Sequence, residues 1–163
     1  MTDLVPLLPA ATELVARAAE LGLKVATAES CTGGLVAAVL TEVPGSSAVV
    51  DRGFVTYSNA AKTELLGVDP DLIRRLGAVS AEVAIAMVEG ALLRSDAGLA
   101  IAVTGVAGPS GGTADKPVGL VHFAAMRRGG EPIHAERRYG DLGRSGIRVA
   151  AVQDALAMLR GLI

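Results

Sequence analysis

The chain has 163 residues, of which 51% are hydrophobic and 2% aromatic, and it carries a formal net charge of −2. This length suits one domain spanning residues 1–163 with a core of Ala, Val and Leu, and the scattered basic residues argue against nucleic-acid binding. The apolar runs are too short for a transmembrane span and no signal peptide is recognisable, so we predict a cytoplasmic protein with no membrane partner.

Hydrophobic periodicity predicts helices that alternate with short strands. In chain order, helices are predicted at residues 7–21, 35–40, 59–66, a short one from 70 onwards, 81–94 and 145–159. Strands are predicted at residues 25–27, 48–57, 99–103, 118–126 and 133–139, the last two as an antiparallel hairpin. Ser58, Asp69 and Ser80 are expected to cap the helices that follow them. This order predicts an α/β fold, a three-layer α/β/α domain with a mixed, mostly parallel sheet.

The stretch from Val25 to Leu35 contains the candidate nucleophiles. It predicts a buried strand that ends near Thr27 and turns sharply into a helix, with Thr32 as the N-cap. The turn would leave Ser30 at the carboxyl edge of the sheet, beside free backbone N–H groups of a helix N-terminus. A nucleophile beside an oxyanion site is what acyl transfer needs, and the alternative is a capped turn whose two glycines allow tight packing.

A nucleophilic Ser30 needs a group that takes its proton. The serine lacks the G-x-S-x-G pattern of a hydrolase triad, because Ala28 and Thr32 occupy the glycine positions. Lys62 is the candidate base, since a helix N-terminus and partial burial would lower its pKa toward neutrality. The alternative is a solvated lysine on a helix surface.

Two neighbours leave further alternatives open. The hydroxyl of Tyr57 either relays a proton or satisfies a hydrogen bond in the core. Cys31, the only cysteine in the chain, is a rival nucleophile, with Glu29 and Lys62 as helpers in a nitrilase-like arrangement.

The loop from Thr104 to Thr113 is the most glycine-dense part of the chain. It follows a predicted buried strand, so it should open at the same sheet edge as Ser30 and let backbone N–H groups approach an anion. It is not a Walker loop, and the alternative is a structural turn. His122 and His134 lie on predicted strands and are interpreted as structural, so we predict neither a metal site nor a cofactor.

Several motifs taken together resemble the CinA C-terminal domain over nearly the whole chain. They are Ala26-Thr-Ala-Glu-Ser-Cys-Thr-Gly-Gly34, Val43-Pro-Gly-Ser-Ser47, Val55-Thr-Tyr-Ser-Asn59 with Lys62, Gly77-Ala-Val-Ser80, Val103-Thr-Gly-Val-Ala-Gly-Pro109, Gly111-Gly-Thr113 and Lys116-Pro-Val-Gly119. Stand-alone members of this family resemble bacterial nicotinamide-nucleotide amidases. Full-length members carry an additional N-terminal domain with a pyrophosphatase activity, which these residues do not match.

The resemblance implies a metal-free serine–lysine amidohydrolase that converts nicotinamide mononucleotide and water to nicotinate mononucleotide and ammonia. It implies Ser30 as nucleophile, Lys62 as base and Tyr57 as the adjacent proton-handling hydroxyl. We place substrate contacts in the two loops, at Glu29, Cys31, Thr32, Gly33, Gly34, Thr104, Gly105, Gly108, Gly111, Gly112 and Thr113.

One departure from the family concerns Arg144. The family commonly has Gly-Asp-Arg, whereas this chain has Gly140-Asp-Leu-Gly-Arg144, which leaves the role of this arginine open. The rival function is a competence-associated regulatory module that binds a nucleotide without turnover. We also predict a homo-oligomer, with a dimer favoured.

Overall fold

One sheet of five strands organises the fold in the computed structural model, which describes residues 2–163. The strands are β1 (Val25–Glu29), β2 (Val50–Val55), β3 (Leu99–Gly105), β4 (Leu120–Arg127) and β5 (Ile133–Arg138). Their order across the sheet is β2-β1-β3-β4-β5, with β1 parallel to both neighbours and with antiparallel β3–β4 and β4–β5 pairs. Four of the five strands therefore point the same way, and the mixed, mostly parallel sheet is confirmed.

Within the described residues, six α-helices cover the two faces of this sheet, which confirms the three-layer α/β/α prediction. They are α1 (Leu8–Glu20), α2 (Leu35–Thr41), α3 (Asn59–Leu66), α4 (Pro70–Leu76), α5 (Ala81–Leu93) and α6 (Gly143–Arg160). Helices α1, α2 and α6 pack on one face, and α5 packs on the other with α3 and α4 beside it. Within residues 2–163, none of the helices combines the length and apolarity needed to cross a bilayer.

Side-chain size differs between the two faces of the central strands. Val25, Leu99 and Ile101 point into the core beneath α1, α2 and α6. On the other face, the core under α5 takes only alanines from β1 and β3, namely Ala26, Ala28, Ala100 and Ala102. Small residues allow a helix to approach the sheet closely, so a core with almost no aromatic side chains still packs densely.

The helix starts were predicted well except for one. Ser58, Asp69 and Ser80 each accept a backbone N–H bond at the start of α3, α4 and α5, as predicted. Thr32 does not cap α2, and this prediction is wrong. The N-cap residue is Gly34, in the left-handed region at φ 96°, and its side chain offers no acceptor.

The ends of the parallel strands place the candidate loops together. β1 ends at Glu29 instead of Thr27, and β3 extends to Gly105, so Ser30 and Val106 follow at one edge of the sheet. Glu29 lies opposite Val55 in the register with β2, which brings Thr56 and Tyr57 to the same edge. The segments that carry the candidate chemistry thus converge at the carboxyl ends of adjacent parallel strands.

Candidate active site

Lys62 and Ser30 are in direct contact. Lys62 lies in the first turn of α3 and is only 1% exposed, which excludes the solvated-lysine alternative. Its Nζ lies 2.9 Å from Ser30 Oγ and donates to the Thr56 carbonyl at 2.8 Å. Thr56 is itself held level with the end of β1, because its N–H donates to the Glu29 carbonyl at 2.8 Å.

The burial of Lys62 makes its amine a usable base. Removal from water disfavours the ammonium form and lowers the pKa of Lys62 from 10.5 to about 8. A neutral amine keeps one lone pair and two N–H donors. It can therefore donate to the Thr56 carbonyl while its lone pair accepts the Ser30 proton across the 2.9 Å contact.

Glu29 lies behind the nucleophile turn, where its carboxylate caps α2. The side chain is fully buried and accepts from the N–H groups of Gly34, Val36 and Ala37 at 2.9–3.0 Å. Thr27 Oγ1 donates to the same carboxylate at 3.1 Å. The predicted substrate contact of Glu29 would compete with all four of these bonds.

The start of α2 is consequently not the free anion site that the sequence predicted. Glu29 occupies three of its N–H groups, and the Leu35 N–H donates to the Thr32 carbonyl at 3.3 Å. The Gly33 N–H donates to the Ser30 carbonyl at 3.0 Å, so it too is occupied. Among residues 2–163, the backbone N–H groups of Cys31 and Thr32 have no acceptor, which leaves these two as the donors nearest in sequence to Ser30.

Replacing Glu29 with glutamine should lower the stability of the fold. Glutamine keeps the shape but places an NH₂ group against donors, so at least one buried charge-assisted bond is lost, and we expect a loss of about 2–4 kcal/mol. Thermal unfolding would show this as a decrease in Tm of roughly 5–10 °C. Glu20→Gln is the matched control, since that exposed carboxylate only pairs with Arg17. Equal Tm values for the two variants would contradict the capping role.

Cys31 is a poor candidate for a nucleophile in this environment. It is 6% exposed and packs in the core under α1, α2 and α6. Burial raises the pKa of its thiol to about 12, so the reactive thiolate is not populated near neutral pH.

A cleft of about 290 Å³ opens beside Ser30 at the ends of β1 and β3. Predicted site residues that line it are Ser30, Cys31, Tyr57, Gly105, Gly108 and Gly111. Residues that were not predicted as substrate contacts also line it, namely Val79, Val106, Ala107, Ser110 and Arg144. The lining of the cleft thus combines the candidate nucleophile, small apolar side chains and the glycine-dense loop.

Arg144 connects two sides of this cleft. Its guanidinium donates to the Gly108 carbonyl at 2.7 Å and to the Tyr57 hydroxyl at 3.0 Å. Tyr57 is 60% exposed, so its hydroxyl does not satisfy a hydrogen bond in the core. The altered spacing before Arg144 therefore still brings this cation to the mouth of the cleft.

The other predicted contact residues lie outside the cleft lining. Thr104 is buried, and its hydroxyl donates to the Ala78 carbonyl at 2.8 Å, which ties β3 to the segment before α5. Thr113 forms a turn with Lys116, through bonds of 2.9 and 3.0 Å. A Cβ on Gly112 would lie 2.8 Å from the Val118 nitrogen, so packing within the loop requires this glycine. Thr32, Gly33 and Gly34 form the turn behind Ser30.

The two histidines lie away from the cleft, on the outer hairpin. His122 Nδ1 and His134 Nε2 are 3.0 Å apart, and burial lowers the pKa of His122. Within residues 2–163, no cluster of three or more His, Cys, Asp or Glu side chains is arranged to hold a metal ion.

Arg148, on α6, makes a contact that the sequence did not predict. Its guanidinium donates to the Thr32 carbonyl at 2.8 Å, behind the nucleophile turn. The two residues are 116 positions apart, and no local pattern indicates such a contact. For Ser110, in contrast, membership of the glycine-dense loop was a usable signal.

Comparison with known sequences places the chain among CinA proteins. The CinA C-terminal domain family matches residues 8–163. A putative competence-damage inducible protein of Symbiobacterium thermophilum is 54% identical over 151 residues, which are 87% of this chain and 35% of that protein. A CinA-like protein of Mycolicibacterium vanbaalenii is 56% identical over 140 residues, which are 85% of this chain and 33% of that protein. The chain thus spans about a third of the length of these curated relatives.

Solved structures give the same result. The crystal structure of the competence/damage inducible protein CihA from Agrobacterium tumefaciens matches with a TM-score of 0.94 and 56% identity, covering 95% of this chain and 94% of that one. A CinA superfamily protein from Escherichia coli matches with a TM-score of 0.89 and 36% identity, covering 94% and 88%. The resemblance seen in the sequence motifs is therefore confirmed, and the chain belongs to the CinA C-terminal domain family.

Proposed function

We propose that this protein is an amidohydrolase that converts nicotinamide mononucleotide and water to nicotinate mononucleotide and ammonia. The observation that carries the proposal is the contact between Ser30 Oγ and the buried amine of Lys62, at 2.9 Å. A hydroxyl beside a lysine whose pKa is about 8 is the pairing that a serine–lysine acyl transfer requires.

The proposed acylation half-reaction uses this contact. Ser30 Oγ attacks the carboxamide carbon while the neutral Lys62 amine takes the hydroxyl proton. The tetrahedral intermediate collapses when the protonated Lys62 gives that proton to the departing nitrogen, so ammonia leaves and an acyl ester on Ser30 remains. A positioned general base of this kind is typically worth about 10²–10⁴ in rate.

Deacylation uses the same groups in reverse. Water attacks the ester carbon and gives a proton to Lys62, which returns it to Ser30 Oγ as the carboxylate product forms. The Cys31 and Thr32 N–H groups are the backbone donors that we assign to the oxyanion, because the Gly33 N–H is bonded to the Ser30 carbonyl. One such donor is typically worth about 10²–10³ in turnover.

We assign Tyr57 and Arg144 to the mouth of the cleft. In the proposed complex, the Tyr57 hydroxyl donates or accepts a proton next to the reacting group, as in the serine–lysine–tyrosine scheme that the sequence motifs imply. The guanidinium of Arg144 already donates to this hydroxyl at 3.0 Å, which favours the orientation in which the oxygen faces the cleft.

The Cys31-dependent alternative is disfavoured by burial. A nitrilase-like reaction needs a thiolate, and the pKa of Cys31 is raised to about 12. A binding module without turnover is disfavoured by Lys62, because binding alone gives no reason to bury an amine against a serine hydroxyl at the cost of desolvation.

The proposal is tested by identifying both products. Purified protein incubated with nicotinamide mononucleotide should release ammonia and nicotinate mononucleotide in equal amounts, measured by enzymatic ammonia detection and chromatography. Binding of the nucleotide without either product would support the regulatory-module alternative. We also propose that the protein acts in the cytoplasm as a homo-oligomer, with a dimer favoured, which light scattering after size exclusion would test.

The substrate phosphate should contribute strongly to recognition. We place it at the glycine loop, near the backbone of Gly108 and Gly111 and the guanidinium of Arg144. Two charge-assisted bonds to phosphate are typically worth about 10²–10⁴ in catalytic efficiency, so the mononucleotide should be preferred to its riboside by this margin.

Arg144→Met should reduce this preference by about 10-fold or more, because hydrolysis of the riboside loses only the orientation of Tyr57 whereas hydrolysis of the mononucleotide also loses the phosphate contact. Steady-state kinetics on both substrates measures the effect. Arg160→Met is the matched control, since this arginine lies on the same helix and pairs only with the exposed Glu13. Equal efficiency of the wild type on both substrates would mean that the loop is a structural turn. Gly112→Val is not a clean probe, because a side chain there would collide with the Val118 backbone.

A further inference from the structure

We propose that Arg148, on α6, is a positioning residue that fixes the nucleophile turn and thereby holds Ser30 in register with Lys62. The inference rests on the proposed function and extends it to a side chain outside the cleft. The carrying observation is the bond of 2.8 Å from the Arg148 guanidinium to the Thr32 carbonyl.

The turn that presents Ser30 needs such a contact because its backbone is intrinsically mobile. Two successive glycines, Gly33 and Gly34, have φ angles of 61° and 96°, in the left-handed region. Glycine has more conformational freedom than any other residue, so these positions do not by themselves keep the turn in one shape. On the strand side, the Ser30 N–H is held by the Val103 carbonyl at 2.9 Å.

A single peptide group links Arg148 to the nucleophile. The oxygen of the peptide between Thr32 and Gly33 accepts from Arg148, and the N–H of the same peptide donates to the Ser30 carbonyl at 3.0 Å. The peptide plane is therefore fixed at both ends. If Arg148 is removed, the Thr32 oxygen keeps only the longer bond of 3.3 Å from the Leu35 N–H, so the plane is held less tightly and its bond to Ser30 weakens.

The environment makes this contact strong. Thr32 is completely buried, and the Nε of Arg148 is buried without an acceptor among residues 2–163. A charged donor to a carbonyl that is shielded from water forms a stronger bond than one at the surface.

The effect should appear in turnover, because displacing a reacting group by about 1 Å typically costs up to about 10² in rate. Arg148→Met keeps the aliphatic part of the side chain and removes the guanidinium, so we expect kcat to fall by about 10- to 100-fold with KM within threefold. The pH at which the rate is half of its maximum should stay at the value that is set by the titration of Lys62. Arg148→Lys, which retains a charged donor, should recover at least part of the loss.

The experiment measures kcat, KM and the pH profile on nicotinamide mononucleotide for wild type, Arg148→Met, Arg148→Gln and Arg148→Lys, with Tm for each. Arg148→Gln replaces the methionine variant if that protein does not fold. Arg160→Met, which removes an exposed arginine from the same helix, should keep wild-type values. Wild-type kcat in the folded Met or Gln variant, or a change in KM alone, would overturn the proposal.

A second readout separates this proposal from the proposed function. A fluorophosphonate probe reacts with an activated serine when Oγ bonds to phosphorus and fluoride leaves, with the proton passing to Lys62. If wild type reacts with the probe but releases no ammonia, the substrate assignment fails, and the probe rates still test Arg148, with the same 10- to 100-fold decrease expected. If Ser30 in the wild type is inert to the probe and to the nucleotide, the positioning proposal fails as well.

Discussion

Ser30→Ala should remove ammonia release from nicotinamide mononucleotide almost completely, by about 10⁴-fold or more, while the protein stays folded. The hydroxyl supplies the atom that bonds to the substrate carbon, and among the side chains that line the cleft only that of Ser30 contacts the Lys62 amine. The fold should tolerate the change, because Ser30 lies in a turn and its backbone is held by the Val103 carbonyl. Steady-state ammonia release and Tm, measured on the same preparation, check both parts.

Cys31→Ala is the matched control for this prediction. The two residues are adjacent, and both line the cleft, but only Ser30 contacts the Lys62 amine. We expect the cysteine variant to keep most of its turnover, with a modest decrease in stability because a buried side chain is truncated. A mild effect at Ser30 together with a severe one at Cys31 would assign the reaction to the thiol.

Lys62→Met should lower the rate by about 10²–10⁴, because the serine proton then has no acceptor. Lys62→Arg should be nearly as inactive, since a guanidinium stays charged at every pH at which the protein is folded. Near-normal turnover in the arginine variant would remove Lys62 from the role of base.

Lys62→Met should also change how the free energy of unfolding depends on pH. The pKa of Lys62 is about 8 in the folded protein and 10.5 in a free lysine, so the unfolded chain binds more protons between these values. The cost of burying the ammonium therefore lowers the free energy of unfolding of the wild type by its full amount below about pH 8. This cost disappears as the pH rises toward 10.5. Between pH 7 and pH 10, the free energy of unfolding of the wild type should rise by about 2 kcal/mol relative to that of Lys62→Met. Urea unfolding at both pH values would show it, and a constant difference would contradict the buried-amine interpretation.

Sequence patterns predicted the parts of this fold that depend on near neighbours. The caps at Ser58, Asp69 and Ser80 were found because each acceptor lies two or three residues before its donor. The meeting of the Ser30 and Gly105 loops followed from the rule that parallel strands end at one edge of the sheet. These are local or topological rules, and they apply without knowledge of the packed core.

The cap of α2 shows where such reasoning ends. Thr32 has the residue type of an N-cap, but its hydroxyl has no hydrogen-bond partner among residues 2–163. Glu29 supplies the acceptor instead, from five to eight positions upstream, because the strand-to-helix turn folds its carboxylate over the start of the helix. Because the start of α2 is already satisfied, the N–H groups left for the proposed oxyanion are those of Cys31 and Thr32, in the turn before the helix.

The contacts of α6 were not predictable from sequence spacing. Arg144 and Arg148 lie on one helix and bind carbonyls 36 and 116 residues away, one at the mouth of the cleft and one behind the nucleophile. Only the packing of α6 against β3 and α2 brings them there. The pairing of Ser30 with Lys62 was inferred from residue chemistry and family motifs, while its distance depends on the register of β1 with β2.

The pH dependence of kcat/KM for ammonia release from nicotinamide mononucleotide tests the Ser30–Lys62 pairing most directly. Only the neutral amine accepts the serine proton, so efficiency should rise about tenfold per pH unit below the pKa and level off above it. The pKa of Lys62 places this midpoint near pH 8, as an apparent value for the coupled site. A profile that is flat or falling from about pH 6.5 to pH 9.5 would contradict a mechanism in which Lys62 is the base.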